Sequence, residues 1–72
     1  MEKRDLTRIR ELLPHEPELA RLWDEHRQLE EELERLKALG RLTPDEIVRQ
    51  LELKKRKLAG RDRIQRILGR PE

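Results

Sequence analysis

Leucine and isoleucine recur along this chain in steps of three and four, and proline or glycine interrupts them where one helix would end and the next begin. Leu6, Ile9, Leu12 and Leu13 hold helical spacing and predict a short helix over residues 5–13, ended by Pro14. Pro14-His15-Glu16-Pro17 is then a turn, with Pro17 suited to the first position of a second helix. From there Leu19, Leu22, His26, Leu29, Leu33 and Leu36 form a heptad seam containing one histidine. The seam predicts a helix over 17–38, and Gly40 stands where a left-handed helix end belongs.

The third element has the strongest local signal. Thr43-Pro44-Asp45-Glu46 combines a capping Thr, a Pro at the first helical position and a Glu at the third. That is a capping box, and Leu42 with Ile47 can staple it. The helix is expected over 44–68, with Gly69 and Pro71 as stop signals. Its seam reads Ile47, Leu51, Lys54, Leu58, Arg61, Gln65 and Leu68.

A loop of a few residues between two long helices implies an antiparallel two-helix hairpin of coiled-coil type. Charge agrees with that pairing. Residues 16–37 hold eight acidic and four basic side chains, net −4, whereas residues 49–70 hold nine basic and two acidic, net +7. Opposite signs then flank the seam and select the partner helix. Lys54 and Arg61 are expected to pack their stems in the seam and reach Glu30 or Glu25 with their heads, either as snorkelling side chains with no further role or as charges that fix the register.

A second stripe on the same helix, Leu53, Gly60, Ile64 and Ile67, lies about 100° from that seam. One partner helix cannot cover both. The stripe, with Trp23 as an aromatic anchor, is therefore the expected oligomer interface, joining copies into a dimer or tetramer of bundled helices. Docking of an unidentified protein partner is the alternative use.

Composition narrows the chemistry. In 72 residues 33% are hydrophobic and 47% charged, and cysteine, serine and asparagine are absent, which removes disulfides, thiolate metal sites and most enzyme nucleophiles. His15 and His26 are too far apart to share a metal as neighbours on one helix face. No metal, cofactor or catalytic residue is expected. No apolar run is long enough to span a membrane, so a single cytoplasmic, all-α domain over residues 1–72 is the reading. The lack of Asn and the excess of Arg over Lys fit a thermostable protein.

The rival function is nucleic-acid binding by the basic helix. Lys55, Arg56, Arg63 and Arg66, extended by Arg49 or Arg70, make the best phosphate-facing stripe. No aromatic platform or recognition-helix turn accompanies it, and the net charge is only +2. A small non-enzymatic structural or protein-interaction module is the first reading.

Two stretches carry a family likeness. Pro17-Glu18-Leu19-Ala20-Arg21-Leu22-Trp23-Asp24-Glu25-His26-Arg27-Gln28-Leu29 resembles the first long helix of the small YdcH-like family of uncharacterised bacterial helical-hairpin proteins. Leu53-Lys54-Lys55-Arg56-Lys57-Leu58-Ala59-Gly60-Arg61-Asp62-Arg63-Ile64 resembles its second. The likeness runs over roughly residues 6–68. Leu19 replaces a usual aromatic, Gly60 a Leu and Arg63 a Glu, departures that bear on oligomer packing and leave the hairpin intact. The resemblance implies a helical fold and no established activity.

Overall fold

Caps and breakers set the elements where the sequence places them. The computed structural model describes residues 3–69, which form α1 (Lys3–Leu12), α2 (Pro17–Ala38) and α3 (Pro44–Leu68), with no strand among the described residues. Both long helices match their expected limits. The first begins two residues earlier than expected and ends one earlier. Leu13 precedes a proline, whose ring disfavours helical backbone in the residue before it, so the helix stops at Leu12.

Proline opens both long helices, but only α3 gains a side-chain cap. Glu16 precedes α2 in extended conformation without a capping bond. At α3 the Glu46 N–H donates to Thr43 Oγ1 at 3.2 Å, and the Thr43 N–H donates to Glu46 Oε1 at 2.9 Å. The capping box is complete. Thr43→Ala should lower stability by roughly 0.5–2 kcal/mol, read as a shift in the urea midpoint; an unchanged midpoint would remove the cap from the energetics. Beyond Leu39, Gly40 takes φ +74°, the left-handed turn its lack of a side chain permits. Its N–H donates to the Lys37 carbonyl at 3.2 Å.

The core lies at the end remote from the loop. Ile9, Leu19, Leu22, Ile64 and Ile67 form one buried cluster, with Leu12, Leu13, Trp23 and Leu68 packed against it. The beginning of α2 thus meets the end of α3. Towards the loop, Arg49 near the start of α3 donates through Nε and Nη2 to Glu32 of α2, the Nε bond at 2.9 Å. α1 lies against the open end and contributes Ile9, while Arg8 Nε donates to the Leu68 carbonyl at 3.2 Å. Together the three helices make a body 46 × 19 × 17 Å.

The face that α3 turns inward is the other one. Leu53 is 1% exposed, Ile64 0% and Ile67 5%, whereas Ile47, Leu51 and Leu58 stand about half exposed and Lys54 and Arg61 lie in water. The seam expected through Ile47, Leu51, Lys54, Leu58 and Arg61 is therefore surface. The expected oligomer stripe of Leu53, Ile64 and Ile67 is instead the intrachain core. α3 is turned by roughly 100° about its axis from the expectation. Two forces favour this setting. Ile64 and Ile67 reach Ile9 of α1 as well as α2. The inward row Leu53, Lys57, Gly60, Ile64, Ile67 also contains one cation, where the rejected row would bury two.

On α2 the seam holds as expected. Leu19, Leu22, His26 and Leu29 are buried, while Leu33 and Leu36 are half-buried. Leu68, the last expected seam residue of α3, packs against the core cluster.

Candidate functional site

Near the middle of the two long helices, two polar contacts converge on Glu30. Lys57, half-buried, reaches over the seam so that its Nζ lies 3.3 Å from Glu30 Oε1. The cation that engages Glu30 is thus Lys57, and the expected reach of Lys54 or Arg61 to Glu30 or Glu25 is not made. His26 Nε2 lies 3.2 Å from the same Glu30 oxygen. The imidazole also stacks on Trp23, with ring centres 5.6 Å apart and planes at 16°. Trp23, expected at an oligomer contact, is half-buried against its own core and this ring.

Burial favours the neutral form of His26. Its Nδ1 is buried without a hydrogen-bond partner, so the ring proton belongs on Nε2, facing Glu30. Burial lowers the pKa below the ordinary 6.5 and Lys57 adds to that, while Glu30 opposes it. Between the lowered folded value and 6.5 the unfolded chain binds more protons, so stability rises with pH there. This contribution is complete above the unfolded pKa and is lost as the pH falls towards the folded one. Urea midpoints at about pH 7.5 and about pH 5.5 should differ more in the wild type than in His26→Leu. Equal differences would discard the histidine as the titrating group. The Leu variant should be no less stable near neutrality, because a buried unpaired acceptor costs about 1–3 kcal/mol.

Gly60 does not serve close packing within the chain. A methyl group placed there would meet nothing within 4 Å.

With its inner stripe buried, α3 presents an outer row to water. Ile47, Val48, Leu51 and Leu58 are exposed, interspersed with Lys54 and Arg61. Leu58 is the most open at 59%. Beside the row, Leu33, Lys54, Lys57, Leu58 and Arg61 line an open groove of about 310 Å³ between the long helices. Val48 was not among the expected site residues. Its neighbour Ile47 carried the only periodic signal there, and Val48 lies off that period. Both rows of α3 were visible in the sequence; which of them faces water was not.

The basic stripe is partly engaged within the chain. Arg49 bonds Glu32, whereas Lys55, Arg56, Arg63 and Arg66 are exposed. Arg70 and Pro71 lie outside the described residues. Among the described residues no group of three His, Cys, Asp or Glu side chains is placed to hold a metal. No helix there is long and apolar enough to cross a membrane.

No curated protein and no solved structure matches the chain. A family does match, over residues 19–68, from the third residue of α2 to the last of α3. Those residues include the second stretch that resembles the YdcH-like proteins and all of the first but Pro17 and Glu18, and the likeness is consistent with this match. The buried face of α3, its outer row and the groove all fall inside it. The chain belongs to the family described as "Protein of unknown function (DUF465)".

Proposed function

We propose that α2 and α3 form an antiparallel hairpin acting as a small protein-interaction module, through helix–helix packing and without catalysing a reaction. The observation that carries this reading is the exposed apolar row Ile47, Val48, Leu51 and Leu58 on a helix whose core face is already filled. Solvent-facing apolar side chains gathered on one helix face are costly to solubility and mark contact surfaces more often than scattered ones do. A second copy or another protein can meet the row, and self-association into a dimer or tetramer is one form of the same function.

Leu51→Gln with Leu58→Gln tests the reading, because it removes both leucines of the row and leaves the charge unchanged. Immobilised wild-type chain should retain proteins from a source-cell lysate, or further copies of itself, that the double variant does not. Identical retention by both would contradict the module. Retention that nuclease abolishes, with affinity falling steeply as salt rises, would transfer the function to nucleic-acid binding by the basic helix.

A further inference from the structure

We infer that the outer row of α3 receives an acidic amphipathic helix of another protein, with leucines on Leu51, Leu58 and Leu33 and carboxylates on Lys54, Lys55 and Arg61. The inference rests on the interaction-module reading and names the kind of partner. Spacing supplies the first argument. Ile47, Leu51, Lys54, Leu58 and Arg61 advance by four, three, four and three residues, the same alternation that pairs a helix with a helix. From Ile47 to Arg61 the row is about 21 Å long, so its partner presents about four turns.

Charge supplies the second argument. Of the cations around the groove, Lys57 already faces Glu30 at 3.3 Å. Lys54, Lys55 and Arg61 make no ion pair among the described residues. A helix seated on the leucines therefore meets unpaired positive charge along its edges, and carboxylates there gain both partner choice and rate of encounter.

The same features disfavour a second copy. Pairing α3 with another α3 sets Lys54 and Arg61 against the same cations. The acidic helix α2 has the right charge, but its leucines at 19, 22 and 29 are buried, its exposed positions between Arg21 and Lys37 are all polar or charged, and a single exposed Leu39 follows its end. On α1 the exposed apolar side chain is Leu6. No described surface of another copy joins an apolar row to a line of carboxylates.

The test uses the full chain and fluorescently labelled synthetic peptides of about four helical turns. One carries heptad leucines flanked by glutamates, a second has lysines for the glutamates, and a third is a scramble of the first. The glutamate peptide should bind saturably and the other two should not. Leu51→Gln with Leu58→Gln should weaken binding at least about thirtyfold while circular dichroism and the urea midpoint stay unchanged. Lys54→Glu with Arg61→Glu should transfer preference to the lysine peptide. Equal binding of the scramble, or binding that survives the glutamine pair, would overturn the assignment. Failure of the glutamate peptide, with wild-type dimers in sedimentation that the glutamine pair dissociates, would also overturn it while leaving the interaction module standing. A monomer that binds none of the peptides, and retains the same lysate proteins as the glutamine pair, would remove both.

Discussion

Ile64→Ala is expected to cost about 2–5 kcal/mol, the range for emptying a fully buried aliphatic site. Ile64 is 0% exposed and shares its cluster with Ile9, Leu19, Leu22 and Ile67, so one truncation loosens all three helices together. In a domain of this length a single core rarely supplies more than about 3–5 kcal/mol. The variant should therefore be largely unfolded near room temperature, seen as loss of helical circular dichroism before urea is added. Leu58→Ala makes a similar truncation on the outer row and should move stability by no more than about 0.5 kcal/mol. A small loss for Ile64 with a large one for Leu58 would reverse the two faces of α3.

That contrast shows where the sequence was legible and where it was not. Helix limits could be read because each depends on local chemistry: Pro17 and Pro44 at first positions, the Thr43–Glu46 box, and Gly40 at a left-handed end. The inward face of α2 could also be read, because α2 has only one heptad row of leucines. α3 has two. Periodicity finds both rows and cannot rank them, and the outer row looks richer because Gly60 and Lys57 interrupt the inner one. The choice depends on contacts distant in sequence: Ile9 lies more than fifty residues from Ile64 and Ile67, yet packs against them. Lys57 is tolerated inward because Glu30 receives its head, a pairing that single-helix patterns do not show. The candidate surface was misread for the same reason. Once the inner stripe is known to be core, the outer row becomes the available face without further assumption.

The second large effect is expected at Ile9. α1 has ten residues, too few for a helix to persist alone in water, so its structure depends on docking. Ile9, 1% exposed, is its single fully buried side chain, and Arg8 adds the bond to the Leu68 carbonyl. Ile9→Glu would place an unpaired carboxylate in the cluster, at a cost of several kcal/mol, and α1 should detach. The helices hold 10, 22 and 25 residues, together 57, so undocking α1 alone removes about a sixth of the helical signal. Trp23, packed on the same cluster, should emit further to the red as it becomes wetter. Leu19, Leu22 and Ile67 would then be uncovered, and the two long helices should unfold at lower urea. Full helicity with unshifted Trp23 emission would mean that α1 does not hold the open end together.

The absence of cysteine from the chain gives the orientation of α3 its most direct measurement. Leu53→Cys and Leu58→Cys place one thiol each on the inner and outer rows, and a thiol reagent then reports which row water reaches. At low protein concentration and without denaturant, the thiol at position 58 should react almost as fast as a free peptide thiol. The thiol at position 53 should react only as often as the chain opens, and should become fast when urea unfolds it. Fast labelling at 53 beside protection at 58, in a chain that sediments as a monomer, would contradict the fold at its centre.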